Sequence, residues 1–241
     1  MTSPLCAVID LLAHLDRLYQ TYADDLRLAR REQARLRRDS PGMKTQLDDV
    51  EAELTYLRLR EARPASTVEV GCLDGWSTSW ILRALRDNGG GELFSFDSRG
   101  GAPRHVPPEL SRGRWTFVAG DVRRRTDRLP AEIDFLCVAA AHTARFARWY
   151  IPHLVERLGP GAPVGVHGVF RRARPLPFGQ ARVVTSWLRG RDVPHFTASP
   201  VRNPLVHRQL CRIRRELGFD APIHTGSRNA TVFFSAPGQD A

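Results

Sequence analysis

Lysine is almost absent from this chain: Lys44 is the only one among 36 basic residues. Arginine therefore carries the positive charge, a balance that a GC-rich genome produces as readily as a nucleic-acid surface does. The net charge of +10 reads first as a solvated face, second as a preference for an acidic small molecule, and last as nucleic-acid binding. The runs at 123–125 (RRR) and 171–174 (RRAR) lack the interleaved aromatics of a single-strand-binding surface. Cysteine is sparse too. Cys6, Cys72, Cys137 and Cys211 form no C-x-x-C pair and meet no histidine at zinc-ligand spacing. They read as free thiols in a reducing compartment, which makes the cytoplasm the expected location. No apolar stretch reaches the roughly 20 residues of a membrane span, and the N-terminus shows no signal-peptide profile. No internal repeat or low-complexity segment is found.

What is there is an ordinary globular composition, 42% hydrophobic and 26% charged over 241 residues, enough for one α/β domain and an appendage. Val8, Leu11, Leu12, Leu15, Leu18, Tyr19, Tyr22 and Leu26 fall at helical spacing and predict an N-terminal helix with one apolar stripe over 4–38. A break follows at Ser40-Pro41-Gly42. Ser40 as N-cap and Pro41 at the first helical position predict a second helix at about 43–62. Its early acids (Asp48, Asp49, Glu51, Glu53) and late arginines (Arg58, Arg60, Arg63) complement the helix dipole. Strands are predicted at 67–71, 93–97, 115–119, 134–139, 163–168, 194–198 and 231–236, and helices at 76–88, 142–158, 180–190 and 204–217. Such alternation builds a seven-stranded, mainly parallel, Rossmann-like sheet with helices on both faces. Residues 1–62 are read as a helical extension serving as lid, homodimer contact or both, and 63–241 as the α/β domain.

Residues 67–78 (TVEVGCLDGWST) read as a buried strand, a glycine-bearing turn and a helix. Twenty-two residues past Gly75 a second apolar run, 93–97 (LFSFD), ends in Asp97. That pairing suits an adenosine-containing cofactor: the glycines admit close backbone approach, and the acid accepts hydrogen bonds from ribose hydroxyls.

Taken together, 68–71 (VEVG), 75–78 (GWST), Phe96-Asp97, 120–122 (GDV), 133–136 (IDFL) and 166–169 (VHGV) resemble the class I S-adenosylmethionine-dependent methyltransferases. The nearest subgroup is the small-molecule enzymes related to cephalosporin hydroxylase and sugar O-methyltransferases. The resemblance covers about 45–236. It implies S-adenosyl-L-methionine as cofactor, with Glu69 and Gly71 beneath its amino-acid end, Gly75 opening the following helix, Ser77 a further cofactor-binding residue, Asp97 on the ribose, and Asp121 at the adenine amino group with Val122 beside it. Read alone, Glu69 could equally pair with an arginine and Asp121 could cap a turn. Leu73 departs from the small residue of the G-x-G-x-G turn and would crowd the methionine moiety.

In metal-dependent relatives the fourth strand ends in Asp-x-Asp-His and the fifth in His-Asp, holding magnesium through oxygen ligands. Here the matching stretches are 139–142 (AAAH) and His167-Gly168. Three acids are missing while both histidines remain, so no metal is expected. An imidazole suits proton transfer at neutral pH, which makes His142 or His167 a candidate general base for an acceptor hydroxyl or amine. The plainer alternative is a helix cap at His142 and a packing residue at His167. Arg145, Arg148, Arg171, Arg172 and Arg174 could clamp an acidic substrate, or simply be exposed loop charges. Trp76, Trp149, Tyr150 and Trp187 could line an aromatic pocket, or pack in the core. The expected activity is O-methylation of a small molecule in bacterial specialised metabolism. Alternatives are a repurposed fold catalysing cyclisation or elimination, and a noncatalytic partner of an active homologue.

Overall fold

The computed structural model describes residues 4–170, 178–225 and 231–238. Three helices lead: α1 (Pro4–Thr21), α2 (Ala23–Asp39) and α3 (Asp49–Ala62). Then follow β1 (Ser66–Val70), α4 (Trp76–Asp87), β2 (Glu92–Asp97), α5 (Pro108–Ser111), β3 (Trp115–Ala119), β4 (Phe135–Val138), α6 (Ala144–His153), β5 (Pro163–Val166), α7 (Gln180–Gly190), β6 (His195–Phe196), α8 (Pro204–Glu216) and β7 (Val232–Ser235). All seven expected strands form, each ending within two residues of its expected bounds.

The sheet order is β3-β2-β1-β4-β5-β7-β6. β1 to β5 run parallel, and β7 is antiparallel to both β5 and β6. Strand pleating sends alternate residues to opposite faces. Val68, Val70, Leu136 and Val138 pack with Phe146, Tyr150 and Ile151 of α6 on one face. Phe135 and Phe233 pack with Trp76, Trp80 and Leu82 of α4 on the other, in a core that also holds Leu15, Leu26 and Leu57 of α1 to α3. The order reverses between β1 and β4, and at such a switch point the helices after the two strands leave to opposite faces and open a crevice at the carboxyl edge.

The start of α3 differs from expectation. Ser40 closes α2 instead of capping α3, its N–H donating to the Leu36 carbonyl (3.0 Å). α3 begins at Asp49, and Asp48 is its N-cap. The Asp48 carboxylate accepts from the Glu51 N–H (2.9 Å) while Glu51 Oε2 accepts from the Asp48 N–H (3.3 Å). This reciprocal capping box satisfies two orphan donors, where a serine cap satisfies one. Asp48→Ala should therefore cost about 1 kcal/mol in chemical denaturation, whereas Ser40→Ala should leave the midpoint in place. α3 is also buried at every position from Asp49 to Arg60.

Candidate functional site

The crevice at the carboxyl edge is a cleft of about 530 Å³, within the usual range for a small-molecule site. Gly71, Leu73, Asp97, Asp121, Val122, Ala139 to His142 and Gln46 line it. Gly71 stands at the β1/β4 split with φ +86°. A Cβ there would lie 2.8 Å from the Ala139 carbonyl carbon and oxygen and 2.7 Å from Ala140 Cβ. Only glycine lets the two strand ends approach this closely.

Asp97, at the end of β2, is buried. Its Oδ2 accepts from the N–H groups of Cys72 (2.8 Å) and Leu73 (2.9 Å), and its Oδ1 from the Arg99 N–H (2.7 Å). The carboxylate thus fixes the glycine turn and the cleft wall together. Leu73 itself takes φ +46°. Asp121 caps the short turn 122–124 through the Arg123 N–H (3.0 Å) and is forked by the Arg123 guanidinium. That arginine's hydrogen bond holds the Asp121 carboxyl below its usual range. Val122 is buried beside it.

Glu69, Gly75, Ser77 and His167 fall outside the residues lining this cleft. Glu69 points to the α4 face, where Ser77, Thr78 (2.7 Å) and Ser95 (2.7 Å) donate their hydroxyls to it. Burial pushes its pKa up, and the three hydroxyls pull partly against that. Gly75 (φ +91°) opens α4 and packs against 102–106: a Cβ would meet Val106 Cγ2 at 2.6 Å.

At the end of β4 two consecutive non-glycine residues, Ala141 (φ 56°) and His142 (φ 39°), are left-handed. The His142 N–H turns back to the Ala140 carbonyl (2.7 Å). Each such residue stores strain on the order of 1 kcal/mol, which the surroundings must hold in place. Here the holder is the start of α7: Gln180 N–H donates to the His142 carbonyl (3.1 Å), and Gln180 Nε2 donates to His142 Nδ1 (2.9 Å) and to the His167 carbonyl (2.6 Å). The helix-cap alternative for His142 is displaced, since Thr143 caps α6 through the Phe146 N–H (3.2 Å).

His142 and His167 come together, ring centroids 5.9 Å apart. His167 Nδ1 lies 3.5 Å from Glu51 Oε1 and 3.2 Å from Thr231 Oγ1. Burial alone would raise the Glu51 pKa, but His167 and Thr231 outweigh it and hold it below its ordinary value. Glu51 therefore adds stability above the ordinary carboxylate range, and that contribution is lost as acid carries the pH through its lower folded value.

Three site residues escaped the sequence reading. Glu51 and Gln180 each lie far along the chain from the histidine they bond. Gln46, on the loop before α3, donates Nε2 to the Ala139 carbonyl (3.3 Å), while its buried Oε1 has no partner among the described residues. The D-x-x-E spacing at Asp48 and Glu51 was the one available signal. Of the aromatic candidates, Trp76 and Tyr150 are core residues, and none of the four lines the cleft. Arg145 and Arg148 are exposed on α6, whereas Arg171, Arg172 and Arg174 lie outside the described residues. Among the described residues no three His, Cys, Asp or Glu side chains converge as a metal-binding set, and no helix is long and apolar enough to cross a membrane.

Residues 68–169 match the model of a family described as a methyltransferase domain. No curated protein matches the chain. Among solved structures, an O-methyltransferase from Bacillus cereus in complex with SAH aligns at TM-score 0.59 and 14% identity, covering 90% of this chain and 96% of that one. The O-methyltransferase TomG from Streptomyces achromogenes, involved in tomaymycin synthesis and solved with SAM, aligns at TM-score 0.58 and 18% identity over 87% and 90%. Cofactor-bound Rv0187 from MTB aligns at TM-score 0.58 and 15% identity over 95% and 97%. The fold of this chain is the one these proteins share.

Proposed function

We propose that this protein is an S-adenosyl-L-methionine-dependent methyltransferase that methylates an oxygen of a small molecule, without a metal, in bacterial specialised metabolism. The observation that carries the reading is the cleft at the β1/β4 switch point, lined by Gly71, Asp97 and Gln46, whose Oε1 is unpartnered among the described residues. Those features suit the cofactor. The glycine floor admits close approach, Asp97 keeps one lone pair, on Oδ1, for a hydroxyl donor, and a buried orphan acceptor calls for a ligand donor. The cofactor-bound states of the similar structures support the same ligand. When bound, S-adenosyl-L-methionine supplies an electrophilic methyl group on a sulfonium.

The chain's own residues then have to bind, orient and deprotonate. Gly71, Asp97, Asp121, Val122 and Gln46 line the binding end, and Asp97 also sets the turn. Glu69, Ser77 and Gly75 support the cleft from beneath and behind. His142 and His167 handle the acceptor's proton at the adjoining strand ends. With alanines at 139–141 in place of acids, the chemistry relies on imidazole instead of a metal-bound oxygen. Residues 1–62 act as the closing extension, with Gln46 its contribution to the cleft. The exposed apolar Ile9 and Leu28 support a second role as a homodimer contact, which sedimentation would reveal. Acceptor charge preference falls to the arginines near α6, and neither nucleic acid nor membrane enters this reading.

Calorimetric titration with S-adenosylhomocysteine is the direct test. Binding is expected at micromolar concentrations, weakened at least tenfold in Asp97→Ala, and methyl transfer should withstand EDTA. No heat at millimolar ligand would sink the cofactor reading, and strict magnesium dependence would sink the metal-free one. Ligand binding without methyl transfer to any acceptor tried would favour a repurposed reaction.

A further inference from the structure

His142 and His167 are not equivalent, and the hydrogen bonds around them say which can take a proton. Gln180 is buried, with Nε2 2.6 Å from the His167 carbonyl and 2.9 Å from His142 Nδ1. A carbonyl oxygen only accepts, so the amide's NH2 must face it; turning the amide over would set oxygen against oxygen. That same NH2 faces His142, and it only donates. His142 Nδ1 therefore accepts, and the neutral ring keeps its hydrogen on Nε2. Protonating His142 would drive an Nδ1–H against the Gln180 N–H.

His167 is arranged the opposite way. Its Nδ1 lies 3.2 Å from Thr231 Oγ1 and 3.5 Å from the Glu51 carboxylate; the carboxylate only accepts, and a hydroxyl that gives its hydrogen to that carboxylate can only accept from the ring. Glu51 is almost wholly buried and fixed by the Asp48 N–H (3.3 Å) and the Thr231 N–H (2.5 Å). The His167 hydrogen therefore sits on Nδ1 and the lone pair on Nε2. Among the described residues that nitrogen has no hydrogen-bond partner, and the His167 side chain is 13% exposed. Among the described residues, the titratable groups facing His167 besides Glu51 are His142 and, across a cavity of about 20 Å³, Glu69 and Cys137.

We propose that the two histidines divide the work: His167, positioned by Glu51, accepts the acceptor's proton at Nε2, while His142, locked by Gln180 as the Nε2–H tautomer, donates a hydrogen bond and is not the base. In the proton step the acceptor O–H bond breaks, an N–H bond forms at His167 Nε2, and the electron pair stays on oxygen. The imidazolium so formed is offset by Glu51. The reaction assigned to the base rests on the methyltransferase reading; the two tautomers do not.

The test is long-range 15N–1H NMR on the histidine-labelled full chain near pH 7.5 without ligand. The eight imidazoles would be assigned through His142→Asn and His167→Asn. The expected spectrum shows His142 neutral with its hydrogen on Nε2, and His167, in its neutral form, with its hydrogen on Nδ1. His142 as Nδ1–H or as a cation, or His167 as Nε2–H, would overturn the proposal whatever the cofactor titration shows. Where turnover is measurable, Glu51→Gln should lower kcat by about 10- to 100-fold with KM and S-adenosylhomocysteine affinity unchanged. An equal kcat in Glu51→Gln would also refute the positioning role. Loss of S-adenosylhomocysteine binding in the wild type would refute the functional reading alone, leaving the tautomers to stand or fall on the spectrum.

Discussion

Glu53→Ala should lower the thermal midpoint by roughly 6 to 20 °C. Glu53 is fully buried at the meeting of four helices. It accepts from Tyr19 Oη of α1 (2.9 Å), from Arg30 of α2, and from Arg214 of α8 through Nε (2.8 Å) and Nη2 (3.3 Å). The two guanidiniums also hold the carbonyls of Ala221 (2.6 Å) and Phe219 (2.9 Å), so the acid anchors the loop after α8 as well. Asp49 adds a second acceptor there, taking the N–H groups of Ile223 and His224 at 2.8 Å. Removing Glu53 leaves two arginines, whose side chains are only 8% and 12% exposed, with Asp49 as their remaining carboxylate at 3.9 and 3.7 Å. Breaking a buried pair on one side costs about 3–5 kcal/mol, and a chain of this size loses about 2–4 °C per kcal/mol. The exposed pair Arg212–Glu216, at 62% and 57%, is the control: Glu216→Ala should shift the midpoint by about 2 °C at most. Calorimetric melts of the two variants decide it. Equal small shifts would mean that α1, α2 and α8 are held by apolar packing alone.

That network marks a boundary between what sequence patterns reveal and what they hide. The strands were legible because each is a short apolar run between turn signals, and 67–71 and 93–97 carry the glycine and acid that place the cleft. Local patterns report local structure. The α3 start was misplaced because Ser40-Pro41 and Asp48-x-x-Glu51 are both sound cap signals; the second wins by satisfying two donors at once and by burying α3 against α4. Glu69 was read as a cofactor neighbour, yet the strand's period of two sends its side chain to the α4 face, into three hydroxyls. Pairings across the chain left no trace in spacing. Glu51 meets His167 over 116 positions, and Gln180 meets His142 over 38. Only the folded sheet, by setting β4 beside β5 and α3 beneath them, brings those groups within hydrogen-bond reach.

Gly71→Ala should cost at least 100-fold in S-adenosylhomocysteine affinity, about 2.7 kcal/mol, and Gly75→Ala should cost far less. Both glycines are left-handed, at φ +86° and +91°, so alanine pays a similar conformational penalty of about 1–2 kcal/mol at each. The difference lies in what the new methyl meets. At Gly75 the closest atom is Val106 Cγ2, 2.6 Å away, the end of a side chain that can rotate, in a region outside the cleft lining. At Gly71 two of the closest atoms are the carbonyl carbon and oxygen of Ala139, both at 2.8 Å, and backbone in a parallel sheet yields only by parting β1 from β4. Parting them moves the floor of the cleft and the strained turn that carries His142. Gly75→Ala should therefore appear chiefly in the melting temperature, and Gly71→Ala in both melting temperature and ligand affinity. Gly90→Ala, with no positive φ and nothing within 4 Å of a Cβ, is the reference for both readouts. Should Gly71→Ala bind as tightly as the reference while remaining folded, the ligand does not rest on the β1/β4 split, and the cleft would have to serve a different molecule.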